Sequence, residues 1–152
     1  MSLRIAVAGA QDAALFDRIA EDVFDGPLDP GLLRRYLAEP RMHIVLALEG
    51  DLLVGFCSGL THFHPDKPED FWINELGVGA AFRRRGIATA LVRATCDLAL
   101  SLGCGSAWVV ADPTDEAVGF YRSLGAVQTG TNLAMFTFPL ADTPAHRDDP
   151  AA

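Results

Sequence analysis

The amino-acid sequence predicts a single α/β domain built around a mixed central β-sheet. The chain has 152 residues, half of them hydrophobic, which is enough for one sizeable core and too short for two domains to be expected. Short apolar runs alternate with segments of helical spacing, and one pair of runs is joined like a hairpin. Hairpins give antiparallel neighbours and β-α-β crossovers give parallel ones, so we expect about six to seven strands and about four flanking helices.

The N-terminal part predicts one strand and two helices. An apolar run at 5–8 ends at a glycine, and apolar residues over 15–24 then recur at the spacing of one helical face. Asp29-Pro30 places a capping side chain before a proline, which is typical of a helix start, and Pro40 ends this second helix.

The middle of the chain predicts three strands and a polar loop. Residues 42–48 and 52–61 are rich in Val, Leu, Ile and Phe and are separated by turn residues, which indicates a hairpin. The polar segment 62–70 predicts a loop that leads to a further strand at 71–78.

The C-terminal part predicts two helices and two strands. A broad apolar stripe over 86–102 indicates a long and mostly buried helix, and 107–111 is a short apolar strand. Asp112-Pro113 starts a further helix that Gly125 ends, and a last strand is predicted at 132–138. The domain is therefore expected to occupy 1–140, with Trp72 and Trp108 in its core, before a polar tail at 141–152.

Charge and composition exclude several classes of function. Twelve basic and twenty acidic residues give a net charge of −8, which repels phosphate backbones, so nucleic acid is not an expected partner. The three cysteines and four histidines show no metal-ligand spacing, and an odd cysteine number favours a reducing cytoplasm. Neither a signal peptide nor a membrane span is predicted.

Three consecutive arginines before the long helix point to an anionic ligand. Arg83, Arg84 and Arg85 oppose the positive end of the helix dipole unless an anion lies there. Gly86 and Ala88 would let the backbone approach phosphate oxygens, which the N–H groups of the first helical turn can bind. The alternative is a solvated basic turn.

The spacing of these residues resembles a motif of the GNAT superfamily of N-acetyltransferases. That motif is Arg or Gln, two residues, Gly, one residue, then Gly or Ala, and it matches Arg83, Gly86 and Ala88. Residues 75–78 are similar to the family's fourth strand, and 117–121 resembles its downstream helix. The resemblance covers the chain to about residue 140. It implies the family's fold, acetyl-CoA as the co-substrate and a homodimer, since members of the family usually form dimers.

A finer resemblance is to the aminoglycoside 3-N-acetyltransferase type I group. It covers 71–121 and the predicted helical region at 22–37, and it rests on the stretch 84–91 and on Ala111-Asp112. It implies a small polycationic amine as the acceptor. One departure concerns Thr114, which stands where the family often has an Asn that contacts pantetheine.

Individual residues receive expected roles. Glu75 is a carboxylate within an apolar strand and is expected to act as the base that deprotonates the amine, the alternative being a strand Glu that points to solvent or pairs with an arginine. The resemblance implies that Tyr121 is the acid that protonates the departing thiolate, the alternative being a buried tyrosine whose hydroxyl bonds to the backbone. The expected cofactor-binding residues are Leu76, Gly77, Val78, Arg83, Arg84, Arg85, Gly86, Ile87, Ala88, Thr89 and Ala117, and the expected substrate-binding residues are Asp66, Glu69, Asp70 and Asp112.

Two alternatives remain open from the sequence. The chain could bind CoA without catalysis, or it could acetylate protein N-termini or lysine side chains, because an acidic surface attracts cationic peptides as well as aminoglycosides. His62 and His64 could suggest a metal site, but no third ligand follows at a firm spacing, so none is expected.

Overall fold

The computed structural model describes residues 2–131, 133–138 and 140. The sheet strands are β1 (Leu3–Ala8), β2 (Met42–Glu49), β3 (Leu52–His64), β4 (Lys67–Val78) and β5 (Ala107–Val109), and the α-helices are α1 (Pro30–Ala38), α2 (Ile87–Ser101) and α3 (Glu116–Ser123). Two 3-10 helices lie at Ala13–Phe16 and Ala80–Phe82. The described residues therefore form a five-stranded sheet and three α-helices, fewer elements than the sequence predicts.

The sheet is mixed, as predicted. Its strands follow one another in the order β1-β2-β3-β4-β5, with antiparallel pairing from β1 to β4 and parallel pairing between β4 and β5. The turn between β2 and β3 forms the predicted hairpin. The helix α2 provides the crossover that a parallel neighbour requires.

Helices cover both faces of the sheet. Along β2, Val45 and Ala47 pack towards α2, whereas Leu46 and Leu48 pack towards α1 and the first 3-10 helix. These four side chains are almost completely buried. Burial of an aliphatic side chain contributes roughly 1.5–3 kcal/mol, so the sheet with its two covered faces is the main source of stability.

The predicted starts of α1 and α2 are confirmed. The Asp29 side chain accepts a hydrogen bond from the backbone N–H of Leu32 at 2.7 Å, and Pro30 occupies the first helical position. Helix α2 begins directly after Gly86 and buries Leu91 and its neighbours against the sheet.

The helix predicted over 15–24 is wrong. After the short 3-10 helix the chain pairs with β3, since the N–H of Ala20 donates to Leu53 O at 2.9 Å and the N–H of Leu53 donates to Arg18 O at 2.8 Å. Asp22 then takes a left-handed backbone conformation with φ 60°. The apolar residues of this segment pack on the sheet from an extended chain. Their spacing in the sequence also fits one face of a helix, so spacing alone does not distinguish the two conformations.

The loop predicted at 62–70 is a hairpin arm. Strands β3 and β4 continue through it, with His62 opposite Asp70 and His64 opposite Lys67, and only two residues form the turn. We call the segment 62–70 the hairpin arm. The polar side chains that suggested a loop are explained by the solvent exposure of this arm, because its backbone is mostly regular strand.

The C-terminal elements differ from prediction in three respects. Strand β5 ends at Val109, and α3 begins after Asp115, one turn later than expected. The described residues 133–138 form no strand, and residue 132 of that predicted strand lies outside the described residues, as does the predicted tail at 141–152.

The two tryptophans lie side by side across β4 and β5. Trp72 is opposite Trp108, with ring centroids 5.2 Å apart and ring planes at 1°. Trp108 is 40% exposed, so the prediction that it fills the core is wrong.

Candidate functional site

A β-bulge interrupts the pairing of β3 with β4. Ser58 pairs with Glu75, but the next residue, Gly59, pairs with Ile73, so Asn74 has no partner in β3. Such an extra residue bends a strand and re-aims the side chains that follow it.

The bulge turns Glu75 to the α1 side of the sheet. Before it, Phe71 and Ile73 pack towards α2, and after it Leu76 and Val78 pack on that same core. Strict alternation from Ile73 would have placed Glu75 on the α2 side. The bulge instead leaves this carboxylate exposed on the opposite face.

The same point marks where β4 and β5 separate. Strand β5 pairs only with residues 71–73 of β4, and a cavity of about 920 Å³ opens beyond them. Residues 76–78 form one wall of this cavity, and Val109, Val110 and α3 form the other. The edge of β4 that no longer pairs with β5 therefore presents backbone polar groups to the cavity. We call it the main cavity.

The turn before α2 closes one end of the main cavity. Arg84 and Gly86 both have left-handed backbone conformations, with φ 62° and 77°, and a Cβ on Gly86 would meet no atom within 4 Å. No described side chain caps the first turn of α2, so its N–H groups at Ile87, Ala88 and Thr89 have no intrahelical acceptor. These residues line the cavity and suit phosphate oxygens.

The three predicted arginines do not all lie at the cavity. Arg83 and Arg84 line it, and Nε of Arg83 donates to Val78 O at 3.3 Å. Arg85 instead forms an ion pair with Glu49 and lies over the Phe82 ring at 5.5 Å. The expectation that Arg85 binds the cofactor is therefore not supported by its placement.

A segment that sequence reasoning missed forms the α1 side of the main cavity. A Cβ on Gly77 would come within 2.4 Å of the Val23 carbonyl oxygen, and one on Gly79 within 2.9 Å of that of Glu21, so residues 21–25 run alongside β4. Asp22 and Asp25 of this segment line the cavity. The predicted helix over 15–24 obscures this extended path, and the sequence analysis assigns no role to either aspartate.

Tyr121 on α3 lines the main cavity, as do Phe120 and Ala117. Its ring contacts Phe120 edge to face at 5.1 Å. Burial raises the pKa of Tyr121, and the nearby Cys57 thiol adds to the increase, so the phenol keeps its proton at neutral pH.

Charges of both signs line the main cavity. The basic lining residues, Arg83 and Arg84, belong to the turn before α2, whereas the acidic ones belong to the segment 21–25, to β4 and to the start of α3. The acidic lining residues are Asp22, Asp25, Glu75, Asp115 and Glu116. Phosphate groups and an amine both find side chains of opposite charge here.

The four predicted substrate residues lie elsewhere. Asp66 is at the tip of the hairpin arm, 3.3 Å from the Lys67 ammonium, and Asp70 lies 3.5 Å from the His62 ring. Glu69 also lies on this arm and not at the cavity. Asp112 accepts hydrogen bonds from Thr114 and closes a turn before α3. All other predicted site residues except Arg85 line the main cavity.

Among the residues that the structure describes, no group of three or more His, Cys, Asp or Glu side chains could hold a metal ion. Of the helices formed there, none is long and apolar enough to cross a membrane.

Comparison with known proteins gives consistent matches. Residues 13–126 match the family model described as Acetyltransferase (GNAT) family. The chain is 31% identical over 128 residues to the N-alpha-acetyltransferase RimI of Mycobacterium tuberculosis, which is 84% of this chain and 78% of that protein.

Solved structures share the fold. One is an aminoglycoside acetyltransferase from an uncultured soil metagenomic sample in complex with sisomicin, with TM-score 0.76 and 22% identity, covering 91% of this chain and 97% of that chain. Another is the aminoglycoside N-acetyltransferase AAC(6')-Iy in complex with CoA, with TM-score 0.72 and 17% identity, covering 92% and 96%.

Proposed function

Because the chain belongs to the GNAT family of acetyltransferases, we propose that it transfers an acetyl group directly to a primary amine with the help of Glu75 and Tyr121. Its co-substrate is acetyl-CoA, which supplies a thioester-bound acetyl group. The observation that carries the proposal is the bulge at Asn74, which places a carboxylate at the point where the main cavity opens.

The residues of the main cavity fit acetyl-CoA. Arg83, Arg84 and the N–H groups at the start of α2 would hold its phosphates, since cations and an open helix terminus both favour negative charge. The open edge of β4 at 76–78 would bind the amides of the pantetheine arm. Thr114, in place of the family's Asn, bonds to Asp112.

The proton transfers follow from the two side chains. An alkyl amine with a pKa of about 10 is protonated at neutral pH and must lose a proton before it attacks. The Glu75 carboxylate receives this first proton, directly or through water. The amine nitrogen then bonds to the acetyl carbon as the bond from that carbon to sulfur breaks, and the nitrogen releases its second proton to water. The Tyr121 hydroxyl supplies a proton to the departing sulfur and regains one from water.

Gly86→Val is expected to weaken acetyl-CoA binding about tenfold. A β-branched residue is strained at φ 77°, and its side chain would project into the space that phosphate oxygens need. Gly103→Val is the matched control, because Gly103 follows the other end of α2 with φ 85° and also has open space around it. Calorimetry should show lost affinity in the first variant only. Equal affinities in both variants would argue against this phosphate site.

The first acceptor candidate is a small polycationic amine such as an aminoglycoside. The net charge of −8 and the carboxylates of the main cavity favour it, and a similar fold is found in aminoglycoside acetyltransferases. The second candidate is the amino terminus of a peptide or protein. The 31% identity to an N-alpha-acetyltransferase favours this one. The family resemblance also supports a homodimer, and the odd number of cysteines supports a cytoplasmic location, as parts of the proposal.

Salt is expected to lower kcat/KM for either kind of amine. The reacting end of both is an ammonium ion in solution, which Asp22 and Asp25 attract until ions screen them. Thiol release at low and physiological ionic strength should show kcat/KM falling while kcat changes little. Asp25→Asn should flatten that dependence, and Asp66→Asn on the hairpin arm should not.

The same assay tests the function itself. Absence of thiol release with aminoglycosides, polyamines and peptides alike would leave a protein that binds CoA without catalysis. A salt-independent kcat/KM in the wild type would refute the attraction of a cationic acceptor by these carboxylates.

A further inference from the structure

A second cavity lies beside α1, on the face of the sheet that carries Glu75. It measures about 610 Å³ and shares no lining residue with the main cavity. Leu32, Met42 and Leu60 give it an apolar wall, and the first two are 64% and 38% exposed. An apolar concavity of this size suits part of a ligand.

The strand register connects this second cavity to Glu75. Ser58 is opposite Glu75, and the next pair on the same face is Leu60 with Trp72. Two strand residues span about 7 Å, so the apolar wall begins roughly that far from the carboxylate. Tyr36 lines the second cavity, and burial raises the pKa of its phenol, with a smaller increase from the negative charge of the nearby Glu75.

The charge of the second cavity is opposite to that of the main one. Arg35 and Arg41 line it with Glu39 as the only carboxylate among its lining residues. The Arg41 guanidinium lies 4.6 Å from the Phe63 ring centroid, over an aromatic face that holds it in place. A cationic spot in a chain of net charge −8 favours an anion and repels a polycation.

We propose that the second cavity binds the part of the acceptor that follows its amine, an apolar group and then an anionic group. A peptide with apolar second and third residues and an acidic fourth residue has this chemistry, since each extended residue covers about 3.3 Å. The inference rests on the proposed acetyl transfer and selects the peptide over the aminoglycoside. Glu75 would receive the amine while Arg35 and Arg41 receive the carboxylate.

The test compares two amidated peptides, Ser-Leu-Leu-Glu and Ser-Leu-Leu-Lys, and an aminoglycoside as acceptors. We expect the wild type to favour the Glu peptide roughly tenfold in kcat/KM, through KM and not kcat. The double variant Arg35→Gln/Arg41→Gln should lose this preference. Arg34→Gln is the matched control, because Arg34 neighbours Arg35 on α1 but does not line the cavity, and it should keep the preference.

An added negative charge gives an independent reading. Met42→Glu places a second carboxylate at the partly exposed rim, which offsets the excess positive charge of Arg35 and Arg41 over Glu39, and should abolish the preference for the Glu peptide. Calorimetry with acetyl-CoA confirms that each variant is folded.

Several outcomes would overturn the proposal. Equal kcat/KM for the two peptides in the wild type, fastest turnover of the aminoglycoside, or a preference that survives in the double variant would remove the subsite but leave acetyl transfer intact. Absence of thiol release with every acceptor would contradict the proposed function instead. A dimer that Met42→Glu dissociates in sedimentation would assign the cavity to a second copy.

Discussion

Glu75→Gln is expected to lower kcat about 100-fold while acetyl-CoA affinity stays unchanged. The amide keeps the size of the side chain at the bulge but cannot accept the amine proton. Because the unprotonated fraction of an alkyl amine grows with pH, the deficit of the variant should shrink as pH rises. Thiol release across pH, with calorimetry for affinity, measures both effects.

Glu69→Gln is the matched control for this variant. Glu69 lies on the same strand but outside the main cavity, so its loss should leave kcat within about twofold of the wild type. Wild-type turnover in Glu75→Gln would show that the carboxylate opposite Ser58 takes no part in proton transfer.

Tyr121→Phe is expected to lower kcat by roughly 100-fold with little change in acetyl-CoA affinity. The ring keeps its edge contact with Phe120, and only the hydroxyl is lost. Burial raises the pKa of Tyr121, so the wild type should keep its proton donor through neutral pH and lose activity only as pH rises past that raised value. The variant should lack this alkaline decline.

An acetyl donor with a more acidic thiol provides a second reading for Tyr121. A better leaving group needs less help from a proton donor, so the variant should recover part of its turnover with such a donor. Equal turnover of wild type and variant with acetyl-CoA would reduce Tyr121 to a packing residue.

The fold was predictable where local chemistry and periodicity agree. Asp29-Pro30 forms a helix start through a side-chain cap, and Gly86 precedes the buried helix α2, in both cases because the signal is contained in neighbouring residues. The helix prediction for 15–24 was wrong because the segment is an extended chain that pairs with Leu53, a partner distant in sequence.

The candidate site was predictable only in part. The phosphate turn carries a compact motif, Glu75 is conspicuous as a carboxylate within an apolar strand, and Tyr121 follows from the family resemblance. The side of the sheet that Glu75 faces depends on the bulge at Asn74. The bulge is a property of the pairing between β3 and β4, so the sequence of β4 alone does not predict it. Asp66 was assigned to the substrate from proximity in sequence, but the hairpin arm carries it away from the main cavity.

The stacked tryptophans give the protein a built-in optical reporter. Trp72 and Trp108 are its only two tryptophans, so all indole emission originates from one spot where β4 and β5 part. Parallel, stacked indoles whose centroids lie 5.2 Å apart couple their electronic transitions, which marks this junction in near-ultraviolet dichroism. The next residue of β5, Val109, already lines the main cavity. We expect ligand entry beside Val109 to change the surroundings of the adjoining indoles, so that occupancy can be followed by light without a label.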